Sequence, residues 1–114
     1  MHYQLVKDQE VIADKIVKAE GFFEKLQGLM FKKEMNGRGG LLFETKSIHT
    51  HFMRFPIDVI FLSKNHSVVK IIHSMKPWRI TGIYFKAKFA IELAGGSLES
   101  SIKVGDKLDM VCIN

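Results

Sequence analysis

The sequence predicts an α+β, mainly β fold: a compact, antiparallel, barrel-like sheet with two short helices. Three observations carry that expectation. Apolar and polar residues alternate with a period of two over 48–54 and, longer, over 83–93. Apolar runs at 58–62 and 68–73 flank a polar turn in the manner of a hairpin. Finally, 114 residues that are 46% hydrophobic and 25% charged, with two prolines and nine glycines, fit a single domain spanning 1–114. A chain of that size buries a core without staples, and its composition excludes disorder.

The elements follow in order. Residues 2–6 and 10–18 form an opening hairpin around the turn Lys7-Asp8-Gln9. Phe22, Phe23 and Leu26 have helical spacing, continued by Leu29 and Met30, with Gly28 suited to a helix end. Asn36-Gly37 and Gly39-Gly40 mark a loop, and Leu41-Leu42-Phe43 reads as a strand covered on both faces. In the strand 48–54, Ile48, Thr50 and Phe52 separate from His49, His51 and Met53 before Pro56 interrupts the ladder. The hairpin 58–62/68–73 turns through Ser63-Lys64-Asn65-His66-Ser67. In the long strand 83–93, Ile83, Phe85, Ala87, Phe89, Ile91 and Leu93 share one face; Tyr84, Lys86, Lys88, Ala90 and Glu92 share the other. Ser97 caps a second helix through Ile102, and Gly105-Asp106 turns into a last strand, 108–113.

Composition narrows the function classes. No apolar stretch approaches a membrane span, and the N-terminus lacks the basic-then-apolar layout of a signal peptide. The expectation is a cytoplasmic protein with no membrane partner. One cysteine, Cys112, cannot form an internal disulfide; it reads as a small buried hydrophobe of the last strand. The net charge of +5 comes from 17 Lys+Arg and 12 Asp+Glu. Residues 67–89 hold five bases (Lys70, Lys76, Arg79, Lys86, Lys88) and no acid, so that one segment equals the whole excess. A local basic strip points to an anionic partner more directly than the overall charge does.

Several pieces in order resemble the prokaryotic family filed as domain of unknown function number 192. They are Gly28-Leu29-Met30-Phe31, Gly40-Leu41-Leu42-Phe43, Phe52-Met53 and Pro56-Ile57-Asp58-Val59-Ile60-Phe61. Val68-Val69, Ala90-Ile91-Glu92-Leu93-Ala94-Gly95-Gly96 and Ile102-Lys103-Val104-Gly105-Asp106-Lys107-Leu108 complete the set. The resemblance runs from about residue 10 to the end. It implies a mainly antiparallel, barrel-like β structure with small helices packed against it. It implies no catalytic residues, because the family has no assigned activity. Many relatives carry a signal sequence. Some that are similar around Ser47-Ile48-His49-Thr50 have a cysteine just before it, where this chain has Glu44-Thr45-Lys46.

Three groups of residues carry candidate chemistry. His49 and His51, two apart on a strand, share a face with Met53; with Asp58 they approach metal-ligand spacing, but no third ligand is fixed. No metal and no cofactor is therefore expected. Asp58 opens an apolar strand, where a carboxylate needs partners. It either accepts backbone N–H bonds at the turn or stands at a pocket rim as acid, base or ligand group. Lys76-Pro77-Trp78-Arg79 sets an aromatic between bases, with Lys86 and Lys88 beyond. Such interleaving either clamps an anion or stacks nucleobases, and it also suits a tryptophan covering a core edge.

The leading expectation is a binding or accessory module for an anionic small molecule or peptide. Its ligand would be held by His49, His51, Met53, Asp58, Trp78 and Arg79. The second is a nucleic-acid binder using Lys70, Lys76, Lys86 and Lys88 as phosphate contacts. The third is a metal-assisted or acid/base enzyme centred on Asp58 and His49. Signatures of nucleotide-binding loops, serine hydrolases and zinc proteases are absent from the sequence.

Overall fold

Period-two patterning and turn chemistry resolve into seven strands, seen in a computed structural model that describes residues 2–19, 39–98 and 102–113. They are β1 (His2–Lys7), β2 (Glu10–Lys18), β3 (Gly40–Glu44), β4 (Ile57–Leu62), β5 (Val68–Met75), β6 (Phe89–Ala94) and β7 (Asp109–Ile113). All belong to one sheet, in the order β5-β4-β6-β3-β2-β1-β7. The β1–β2 hairpin closes through Asp8 and Gln9, both at positive φ (51° and 67°), the backbone that a two-residue hairpin turn requires. The β4–β5 hairpin expected from the sequence is also present.

The fold class departs from expectation in three respects. The sheet is mixed, because β2 and β3 run parallel. Their connection, 19–39, is long enough for the crossover that parallel strands need; reading only short turns missed it. The sheet is also open, with β5 and β7 as its edges. The two edges meet at a corner, through the Ser67–Lys107 bridge and bonds such as Val68 N–H to Asp106 O (2.8 Å). Finally, no helix is found among the described residues, and so none long and apolar enough to cross a membrane. The helix expected around Phe22 and Leu26 lies outside those residues, as does the middle of the one expected at 97–102. Ser97, Leu98 and Ile102 are not helical; Leu98 N–H donates instead to the Asp58 carboxylate at 2.7 Å.

The strands at 48–54 and 83–93 are also shorter than their alternation suggests. The first reduces to a single bridge, His49 to Ile80, because the chain turns at His51 and Phe52. The second begins only at Phe89; a turn from Ala87 N–H to Tyr84 O (2.9 Å) precedes it. Ile83 and Phe85, expected on a buried face, are exposed in consequence. Cys112 is exposed too, since β7 is an edge strand covered on one side only.

Both faces of the sheet are apolar. On one, Leu41, Phe43, Ile57, Val59, Phe61 and Ala90 form a core that also takes Ile48, Met53, Met75 and Ala87. On the other, Leu5, Ile16, Leu42, Ile60, Ile91 and Leu93 pack with Leu98, Ile102 and Leu108. Alternation along β4 and β6 assigns each residue its face.

Candidate functional site

Two irregular stretches, 45–56 and 76–88, run antiparallel to each other over the first face. Thr50 N–H donates to Arg79 O (2.8 Å), Thr81 N–H to Ile48 O (3.0 Å) and Tyr84 N–H to Lys46 O (2.8 Å). The Lys46 ammonium ties the far end, donating to the carbonyls of Phe85 (3.0 Å) and Ala87 (2.6 Å). Ile48, Met53, Ala87 and Tyr84 enter the core, and the Tyr84 ring lies 4.8 Å from that of Phe61. The result is a ribbon whose inner side chains are core and whose outer side chains face water.

Thr50 is the clasp of this ribbon. It is fully buried. Its hydroxyl donates to Lys76 O (2.6 Å) and accepts from Arg79 N–H (2.8 Å), while its carbonyl accepts from Trp78 N–H (2.9 Å). Every polar atom of a buried threonine thus has a partner, and those partners set the path of 76–79. Phe52 and Trp78, one on each side of the clasp, both sit at φ +64°. Bulky residues rarely adopt that conformation, and it costs on the order of 1–3 kcal/mol at each position.

The two strained residues meet. Their ring centroids are 4.7 Å apart; the His51 ring is 5.8 Å from Trp78 and 5.1 Å from His49. His49 Nδ1 accepts the His51 backbone N–H (3.3 Å), so a neutral His49 carries its proton on Nε2. Arg79 follows Trp78 directly and is exposed. Of the residues singled out in the sequence, His49, His51 and Trp78 are therefore brought together, with Arg79 exposed next to Trp78 in the chain.

Met53 and Asp58 are placed elsewhere. The turn at Phe52 breaks the alternation that would have aligned Met53 with the histidines, and Met53 joins the core. Asp58 is fully buried on the opposite face. Its Oδ1 accepts the N–H groups of Ser74 (2.8 Å) and Gly96 (3.1 Å), and its Oδ2 that of Leu98. This carboxylate pins a bulge of β5 and the turn after β6 onto β4. His49 and Asp58 are separated by the sheet, and among the described residues no three His, Cys, Asp or Glu are grouped to hold a metal ion.

Lys70, Lys76, Lys86 and Lys88 are all exposed, but they are spread out. Lys76 follows Met75, which pairs with Ile57 at one end of β4; Lys88 donates its N–H to Leu62 O at the other end. The stretch from Lys76 to Lys88 hence crosses the whole face. Among the described residues none of these four, nor Arg79, takes part in an ion pair.

Glu92 is the residue that sequence reasoning missed. It stands mid-sheet between Leu41 of β3 and Val59 of β4, only 5% exposed. Among the described residues nothing hydrogen-bonds its carboxylate, and burial pushes its pKa up to about 8. Alternation placed it with Lys86 and Lys88 on a solvated face. Its same-face neighbours Ala90 and Ala94, small and apolar, were the signal that this face of β6 is covered.

Fold and site together define a class: an open, mixed β-sheet protein with a clasped aromatic and basic ribbon on one face. The chain belongs to the family described as Uncharacterized ACR, COG1430 (DUF192), whose model matches residues 4–110. Among its relatives, a UPF0127 protein of Pyrococcus furiosus is 40% identical over 99 residues, covering 80% of this chain and 82% of that one. Another from Pyrococcus horikoshii is 43% identical over 99 residues, covering 79% and 82%. Two solved structures share the fold at 20% identity. A Novosphingobium aromaticivorans protein of unknown function has a TM-score of 0.75, covering 94% of this chain and 82% of its own. A provisionally designated transcription regulator of Sinorhizobium meliloti has a TM-score of 0.76, covering 95% and 91%.

Proposed function

We propose that this protein is a binding or accessory module whose contact surface for an anionic partner is the outer face of the ribbon. The observation that carries this reading is the aromatic cluster of His51, Phe52 and Trp78, in which Phe52 and Trp78 are at positive φ and Trp78 is fastened by a fully buried Thr50. Strained backbone persists where the surrounding structure over-determines it, and such places gather at ligand-contacting segments. Arg79 supplies a forked donor beside the cluster, and the Nε2–H of His49 a further one. Met53 and Asp58 contribute from behind, as core packing and as a backbone anchor.

Trp78 is the single tryptophan of the chain, so its emission reports on the surface directly. Titration with phosphorylated and carboxylated compounds, and with acidic peptides, is expected to shift that emission. Arg79→Ala should weaken the response about tenfold, the loss of one charge-assisted contact. An affinity unchanged by Arg79→Ala and Trp78→Ala would remove the surface from consideration.

A nucleic-acid reading is the second choice. The unpaired bases of 70–88 favour it, as does the designation of the Sinorhizobium meliloti protein. It calls for affinity that falls steeply with added salt and with Lys70→Gln or Lys88→Gln. Retained binding at high salt counts against it.

A further inference from the structure

The outer edge of the ribbon is more apolar than capture of a soluble anion requires. Trp78 is 56% exposed, Ile80 72%, Ile83 59% and Phe85 79%, all within one short stretch of 76–88. Gly82 sits between them with open space on its Cβ side. Lys76, Arg79, Lys86 and Lys88 flank and interrupt these side chains, and no acid occurs from 67 to 89.

We propose that this edge docks on an anionic lipid surface. Trp78, Ile80, Ile83 and Phe85 enter the interfacial layer, and Lys76, Arg79, Lys86 and Lys88 meet the headgroup phosphates. The proposal rests on the ribbon being the contact surface and names what it contacts. Aromatic and aliphatic side chains set among long cationic ones are the composition that interfacial binding selects. The apolar groups leave water, while the Lys and Arg stems reach back to the headgroups. An indole is favoured at that depth.

Charge and chemistry separate this partner from the others. Nucleic acid would use Trp78 and Phe85 for stacking but has no use for Ile80 and Ile83, the aliphatic half of the edge. A second copy would set the same basic edge against itself, bringing like charges together. A small soluble anion would meet the bases but leave four large apolar groups in water. Docking of this kind needs no spanning segment, so it is compatible with the lack of a spanning helix among the described residues.

The test uses the full chain and vesicles of phosphatidylcholine alone or with about one-third phosphatidylserine. Expected results are cosedimentation with the anionic vesicles, a blue shift of Trp78 emission and loss of both in high salt. Ile83→Asp/Phe85→Asp changes only exposed positions; with an unaltered melting temperature it should weaken vesicle binding at least about tenfold. Lys86→Gln and Lys88→Gln should each weaken it about fivefold.

Three results would overturn the proposal. One is no association with anionic vesicles at low salt while phosphate, glycerophosphoserine or single-stranded DNA still shifts Trp78 emission. That outcome keeps the contact surface and replaces the lipid. The second is no response of Trp78 to vesicles or to any of these soluble anions, which removes the contact surface as well. The third is vesicle binding unchanged by Ile83→Asp/Phe85→Asp.

Discussion

Asp58 and Glu92 are buried carboxylates on adjacent strands of one sheet, one register step apart and on opposite faces: Asp58 pairs with Leu93, and Val59 with Glu92. Both are withdrawn from water. Asp58 receives three backbone N–H groups; Glu92 receives none among the described residues. Two buried acids thus have different physical characters. Three donors match the negative charge of Asp58 and turn it into a fastener for two loops. Without donors, desolvation alone acts on Glu92 and favours its neutral form. Burial withdraws the solvent from both, and only Asp58 has donors in its place among the described residues.

The largest effect expected from breaking this contrast is at Asp58. Asp58→Ala leaves three backbone N–H groups without their acceptor and should cost about 6 kcal/mol, at roughly 2 per bond to a charged group. Asp58→Asn keeps one acceptor oxygen but points an amide N–H₂ at donors, and should cost about half as much. Denaturant midpoints of the two variants check the order. Were Asp58→Asn harmless, the carboxylate would not be the fastener described.

Glu92 gives the next effect, and it depends on pH. Its folded pKa of about 8 lies above the ordinary carboxylate value of 4.5, so between the two the folded chain holds a proton that the unfolded chain has released. The stability linked to this group is complete below pH 4.5 and is lost as pH rises through 8. The loss amounts to at most about 5 kcal/mol, at 1.36 kcal/mol for each unit of pKa difference. Glu92→Gln removes the titration. Its stability should match that of the parent near pH 4.5, exceed it progressively from there to pH 8, and stay ahead by a constant margin above. Parallel curves for the two proteins from pH 5 to 9 would show that the Glu92 carboxylate has found a partner.

Much of this was legible in the sequence, and what was not has a common cause. The hairpins β1–β2 and β4–β5 could be read because each has a local turn between alternating runs. The parallel β2–β3 pair could not, since nothing local joins Lys18 to Leu42. Alternation at 48–54 and 83–93 is real, yet Thr50 and Lys46 make bonds to partners some 25 to 40 positions away, and those bonds bend both stretches into a ribbon. The rings of His49, His51 and Trp78, picked out by residue type, lie in a row of contacts, with Arg79 next in the chain. The long-range fastening of Asp58 to Gly96 and Leu98, and the cover over Glu92, belong to tertiary structure that no window of ten residues contains.

Thr50 is the neutral counterpart of Asp58 in this contrast: buried and fully partnered, but without charge. Thr50→Val keeps the shape and removes the hydroxyl, leaving Arg79 N–H and Lys76 O without their bonds. It should cost about 2 kcal/mol, less than Asp58→Ala because the bonds lost are neutral. Its second consequence is local. Trp78 is no longer held at φ +64°, so anion- or vesicle-induced changes in its emission should shrink although Trp78 itself is intact. A full response with a lower melting temperature would mean that Thr50 stabilises the fold without positioning the tryptophan.

The smallest effect belongs to Asp106, a surface carboxylate that accepts one backbone N–H and one ammonium, where Asp58 accepts three backbone N–H groups in the interior. Its Oδ2 accepts from the Lys7 ammonium (2.9 Å) and from Lys103 N–H (2.8 Å), and these, the Lys7 bond first, hold its pKa below the ordinary carboxylate value. The sign is opposite to that of Glu92. The support Asp106 gives is present above pH 3.8 and disappears as pH falls through its lowered pKa. Water and salt compete for both partners, so Asp106→Asn should lower the melting temperature slightly at pH 7, less in high salt, and less again as pH falls below 3.8. If Asp106→Asn cost as much as Asp58→Asn, the bonds alone would account for Asp58. A clear gap between the two variants would assign the surplus to the third backbone N–H group at Asp58 and to the exclusion of water around β4.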